Sequence, residues 1–230
     1  MLRLLCWACF WLLSIPAWAA APDNLPPLAK QYLPVMRAEI QAHWPDMPLR
    51  SYLAALTEQE TCVSLKSKGC WNPHTELKTD REYGFGLGQI TVTKRFNVFE
   101  ESKASDVSLR NWQWDDRFNP QLQIRALVIK VRNEYYIIRK WGATPMDGLA
   151  FTDSAYNGGR GSVSKDRLLC SNTKGCNPAK WFGNVELTSF KSKTRVAGYG
   201  QSFYDINRGH VRNTINLLPR RQKYVPYMDS

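Results

Sequence analysis

Histidine is scarce in this chain, and acid is outnumbered by base. The 230 residues include 3 histidines, and His43, His74 and His210 are scattered along the sequence. The cysteine pairs lack the spacing of zinc ligands, so neither residue type offers a ligand set; no metal and no other cofactor is expected. Asp and Glu number 20 against 31 Lys and Arg, a formal net charge of +11. There is no internal repeat and no low-complexity tract, which excludes a repeat array. The length suits one well-cored domain and is short for two.

Residues 1–19 read as a secretory signal. Arg3 supplies the positive start, 4–13 the apolar stretch, and Pro16 then Ala17-Trp18-Ala19 the break and the small-x-small cleavage site. Cleavage is expected after Ala19 rather than Ala21, which Pro22 would follow. The alternative, an uncleaved anchor, is opposed by Pro16 and the alanine-rich end. Cys6 and Cys9 would leave with the signal. The remaining Cys62, Cys70, Cys170 and Cys176 are an even set in an exported chain and read as disulfides. Of the three pairings, the sequence-local one is expected: Cys62–Cys70 and Cys170–Cys176. A strongly basic chain first suggests nucleic acid, but an exported protein rarely meets it. An anionic envelope polymer or membrane surface is the expected partner. The tight basic cluster Arg220-Arg221-Gln222-Lys223 and the dispersed basic residues read mostly as solvated surface.

Residues 20–48 form a proline-rich linker and a helix over 35–44, with Met36, Ile40 and Trp44 on one face and Pro45 ending it. Leu49, Leu53 and Leu56 then mark the apolar stripe of a second helix that ends near Cys62. Residues 63–83 read as loop, and the glycine-dense 84–90 segment can bring backbone close to a ligand. The clearest helix opens with Asn119 as N-cap and Pro120 in the first turn. Ile124, Leu127, Val128, Val131, Tyr135 and Ile138 give it a buried face, and Gly142 ends it. Thr144 caps another helix over 145–156, closed by Asn157-Gly158-Gly159. The polar 162–209 stretch reads as an irregular, disulfide-pinned insertion, followed by a last helix over 211–218. The fold class is mainly α, with 49–230 as the principal domain.

Glu60 continues the Leu49, Leu53, Leu56 stripe, so its carboxyl should point where the core points. Desolvation raises the pKa of such an acid, and a helix C-terminus disfavours its charge. Both favour a proton donor of the kind that cleaves glycosidic bonds. Glu58 lies well round the helix and should face water.

Four segments then line up. Gln59-Glu60-Thr61, Gly86-Leu87-Gly88-Gln89-Ile90, the helix opening at 116–120, and Ala155-Tyr156-Asn157-Gly158-Gly159 resemble the soluble lytic transglycosylase domain, the goose-type branch of the lysozyme-like fold. Tyr224-Val225 fits a pair common near that domain's end, and the likeness spans roughly 49–225. The resemblance implies a periplasmic enzyme that cleaves the β-1,4 bond between N-acetylmuramic acid and N-acetylglucosamine, leaving a 1,6-anhydro sugar. Glu60 would be general acid and then base. Tyr156 would hydrogen-bond and orient it. Gln89, Asn157, Gly86 and Thr61 would meet substrate.

The chain departs from the family pattern at several positions. Thr61 replaces serine, Gly88 replaces methionine and removes an apolar wall, Gly158 replaces alanine, and the 162–209 lobe is long. The implied partners are peptidoglycan strands, with an envelope-spanning secretion or conjugation apparatus or a phage as the setting, and the enzyme would be a monomer. The rival readings are a muramidase of the same fold, with Asp80 or Glu82 as second carboxylate, and a silent wall-binding module. Trp71, Trp112, Trp114 and Trp181 read as packing residues, with sugar stacking as the alternative.

Overall fold

The computed structural model describes residues 24–62, 69–80, 82–197 and 200–230. The signal reading of 1–19 and residues 63–68 and 81 of the first expected loop lie outside them. The chain is mainly helical, with one small antiparallel sheet. Helix α1 spans Pro27–His43 and α2 Arg50–Thr61; α3 is Val98–Ser105, α4 Pro120–Arg139, α5 Pro145–Gly158, α6 Arg160–Ser171, α7 Phe203–Ile215, α8 Pro219–Gln222 and α9 Val225–Met228. Strands β1 (Glu76–Lys78), β2 (Glu82–Phe85) and β3 (Ile90–Thr93) pair in sequence order.

The two best-capped helices begin where their caps predict. Asn119 accepts from the backbone N–H groups of Gln121 and Leu122 at the start of α4, and Thr144 accepts from Asp147 N at the start of α5. These bonds satisfy amides that have no partner within the helix. α4 separates two apolar clusters. Ile124, Leu127, Val128, Val131, Tyr135 and Ile138 join the main core with Met36, Ile40 and Trp44 of the first helical segment. Ala126 and Ile129 face a smaller cluster with Phe85, Ile90, Phe99 and Trp112, which fixes the sheet and α3 to the far side of α4.

Three expectations need correction. α1 starts at Pro27 and carries Pro34 within it, so the helix begins well before the expected residue 35. The expected loop after Cys62 contains β1 and the start of β2, strands too short and polar to show alternation. The 162–209 stretch is helical at both ends, in α6 and α7, and irregular only between them. The helix expected over 211–218 therefore runs over 203–215, with the short α8 and α9 after it, and its buried face carries Asn207, His210, Val211, Thr214 and Ile215.

Both expected disulfides are present, Cys62–Cys70 and Cys170–Cys176. Of the tryptophans weighed for sugar stacking, Trp71, Trp112 and Trp181 are buried, and Trp114 is exposed. Among the described residues no helix is long and apolar enough to cross a membrane.

Candidate active site

α2 is buried along most of its length, from Ser51 to Glu58, because α1, α7, α8 and α9 all pack against it. Only near its C-terminal end does it meet an open cleft, and Glu60 stands there, half-buried. Its carboxyl has an unanticipated partner. His210 of α7 places Nε2 2.8 Å from Glu60 Oε1, and its Nδ1 lies 2.7 Å from Asp153 Oδ2 on α5. Asp153 is fully buried and His210 is 5% exposed, so a carboxylate–imidazole–carboxylate chain runs from the core to the cleft. Burial alone would depress the imidazole pKa. The charge of Asp153 and the hydrogen bonds to both carboxylates more than offset this and push it up to about 10.

The cavity around Glu60 has a volume of about 750 Å³. Gln89, Tyr156, Asn157, Lys130, Glu82 and Arg220 line it. It shares Gln59, Gln201, His210 and Asn213 with a neighbouring cavity of about 570 Å³. On another side it shares Glu82, Thr91, Lys130, Tyr156 and Asn157 with one of about 490 Å³. The result is an extended, polar-lined groove with Glu60 in its middle section. Lys130 Nζ sits 4.4 Å from the centre of the Tyr156 ring. Burial pulls this ammonium's pKa down, and Glu60, Glu101 and Glu134 restore part of the loss. Burial first, and then the charges of Glu60 and Asp153, push the Tyr156 phenol well above its ordinary range, so its hydroxyl stays a donor.

The expected site residues divide in two. Glu60, Gln89, Tyr156 and Asn157 share the central cavity. Thr61 and Gly86 do not line it. Thr61 is buried, donates to Thr57 O at 2.6 Å and accepts from Trp71 N at 2.8 Å. Gly86 adopts φ +76, and a Cβ there would come within 2.5 Å of the Gln123 side chain. It is a glycine because the turn and Gln123 leave no room. Asp80 is exposed and lines none of these three cavities, whereas Glu82 does line the groove.

Tyr156 does not hydrogen-bond Glu60. Its hydroxyl donates to the carbonyl of Gly88, which tethers the 86–89 turn to α5. A Cβ at Gly88 would lie 3.0 Å from that hydroxyl and 3.2 Å from Leu127. A methionine would therefore press on the Tyr156 tether, and the glycine is a consequence of close packing rather than a lost wall. Gln89, at φ 44, closes the turn by donating from Nε2 to Gly86 O at 3.1 Å.

Glu58 is the clearest reversal. It is 3% exposed, because α8 and α9 cover the face of α2 that the apolar stripe leaves open. The supposedly solvated basic cluster surrounds it: Lys223 Nζ lies 2.9 Å and Arg220 Nε 3.5 Å from Glu58 Oε1. Arg221 reaches Ser51 Oγ at 3.1 Å. His210, Asp153 and Lys130 were not legible as site residues. Asp153 lies only three positions before Tyr156 in the same helix, and that proximity was the one available signal. Compared with known proteins, the chain matches no family model and no curated protein.

Proposed function

We propose that the protein is a peptidoglycan lytic transglycosylase of lysozyme-like fold, exported to an oxidising periplasmic compartment, with Glu60 as its single acid and base. The observation that carries the reading is the position of Glu60. It is a half-buried carboxyl with one oxygen held by His210, in the middle section of a groove formed by three adjoining cavities. The order of the Glu60, Gly86 to Ile90 and Ala155 to Gly159 motifs supports it, as does the meeting of Glu60, Gln89, Tyr156 and Asn157 in one cavity. The net charge of +11 suits an anionic wall polymer, and the two disulfides suit export.

The chemistry needs one carboxyl group in two protonation states. Protonated Glu60 gives its proton to the glycosidic oxygen as the bond from the anomeric carbon to that oxygen breaks. The bonding electrons stay with the leaving sugar. The acetamido group of N-acetylmuramic acid stabilises the positive charge at the anomeric carbon. The Glu60 carboxylate then takes the proton of the 6-hydroxyl as that oxygen bonds to the anomeric carbon. Glu60 ends protonated, and no water is consumed.

The test is mass analysis of fragments released from purified peptidoglycan. Ends of 1,6-anhydro-muramic acid are expected, and a Glu60→Gln variant should lose roughly 10²–10⁴-fold in rate, the usual worth of a positioned acid–base group. Reducing ends, or a Glu60→Gln variant that cleaves at the wild-type rate, would refute the assignment. Glu82 in the same groove favours one alternative: a muramidase that uses it as second carboxylate.

A further inference from the structure

We infer that His210, itself fixed by Asp153, is a positioning residue that takes Glu60 Oε1 and leaves Oε2 as the oxygen that works on substrate. The inference rests on the acid–base reading of Glu60 and adds two residues to it. Its basis is a chain of two short contacts, 2.8 Å from His210 to Glu60 and 2.7 Å from His210 to Asp153. Both of these neighbours are carboxyl groups. An imidazole that donates to both carboxyl groups carries a proton on each ring nitrogen. His210 is then a cation inside the protein, and Asp153 compensates its charge.

The arrangement is built into the helix packing. α7 lies against both α2 and α5. Its register on α5 is set one turn from His210 by Asn207. Asn207 accepts from Ser154 Oγ at 2.8 Å and donates to Ser154 O and Asn157 Oδ1, each at 3.0 Å. The groups facing the ring come from all the neighbouring elements. Glu60 reaches it from α2 and Asp153 from α5. Tyr52 of α2 and Tyr156 of α5 each feel the charges of Asp153 and Glu60. Lys130 of α4 feels Glu60.

With Nε2 on Glu60 and Nδ1 on Asp153, neither ring nitrogen is open to substrate, so His210 acts through Glu60. Among the described residues Glu60 Oε2 has no hydrogen-bond partner, and Glu60 keeps 17% of its side chain exposed. The clamp suits a mechanism with one carboxyl group. It fixes the rotamer, and it stabilises the carboxylate that must persist between bond breaking and ring closure.

The experiment combines imidazole NMR with kinetics on purified peptidoglycan, using the full chain and its His210→Gln and Asp153→Asn variants. The wild type should show two ring N–H protons for His210 at pH 7.5, and Asp153→Asn should lose one. Both variants should lower kcat by roughly 10–100-fold, less than loss of the acid itself, with KM changed under about twofold. Their pH–rate profiles should shift against wild type, which a purely structural role would not produce. A neutral His210 at pH 7.5, or wild-type kcat and pH profile in folded variants, would overturn the inference. If wild-type protein leaves peptidoglycan intact, the transglycosylase reading fails separately. The clamp is then judged by the Glu60 carboxyl titration in wild type against His210→Gln: a shift upholds it, and coincident curves reject it.

Discussion

Lys223 closes on Glu58 with its Nζ 2.9 Å from Oε1 and 3.0 Å from Oε2. The Tyr224 hydroxyl donates to the same carboxylate and accepts from Trp71 Nε1 at 2.8 Å. One acid in α2 thus holds the chain's C-terminal turns and the residue next to Cys70. Removing one member of a buried ion pair costs about 3–5 kcal/mol, because the partner charge is left unpaired. Lys223 is 24% exposed, so Glu58→Gln should lose about 3 kcal/mol, at the low end of that range. Denaturant unfolding measures it. The folded variant should still cleave glycan, since Glu58 lies outside the groove; unchanged stability together with lost cleavage would reverse the two roles.

Tyr156→Phe removes the bond to the Gly88 carbonyl and leaves the ring under Lys130. An intramolecular hydrogen bond contributes about 1 kcal/mol net, so a small loss of stability is expected. The freed 86–89 turn carries Gln89, so KM should rise more than kcat falls. A collapse of kcat with KM unchanged would mean that the hydroxyl acts on Glu60 after all. Steady-state kinetics on purified glycan strands separates the two.

The His210 charge also makes stability depend on pH. Its folded pKa of about 10 lies above the ordinary 6.5, so the folded state binds the proton more tightly than the unfolded chain does. The resulting stabilisation is fully present below about pH 6.5 and is lost as pH rises towards 10. The difference in Tm between wild type and His210→Gln should therefore be greatest in mild acid and shrink steadily through pH 8 and 9. Differential scanning across that range checks it. A gap that widens with pH would mean that the ring is buried neutral.

How far the sequence could be read depended on how locally each feature is determined. α4 and α5 were legible because caps and periodicity are written within a few residues, at Asn119-Pro120 and Thr144-Pro145. The two disulfides follow from an even set of cysteines at short spacings. Glu58 escapes the pattern because an apolar stripe predicts a solvent face only for a helix packed on one side, and α2 is packed nearly all round. His210 was invisible for a different reason. Its partners lie 150 and 57 positions away, and nothing near it in the sequence marks a site. For Tyr156 the sequence points to Glu60 as partner, whereas the folded turn brings the Gly88 carbonyl to its hydroxyl.

Glu82 is the residue that separates the proposed transglycosylase from the muramidase reading. Hydrolytic glycosidases place a second carboxylate across the scissile bond from the acid, to activate water or attack the sugar. Glu82 starts β2 and lines the groove with Glu60. It is exposed, and among the described residues it has no buried partner of the kind that His210 gives Glu60. A carboxylate in that setting is solvated and free to swing, which suits contact with sugar hydroxyls better than the fixed geometry of a catalytic base. Glu82→Gln should therefore keep forming anhydro ends within about tenfold of the wild-type rate, whereas loss of a general base costs roughly 10²–10⁴-fold. Digestion in heavy-oxygen water gives the matching readout. Transglycosylation puts no label into the new muramic acid ends, before or after the substitution. Labelled reducing ends in wild type that vanish in Glu82→Gln would make the protein a muramidase with Glu60 and Glu82 as its pair.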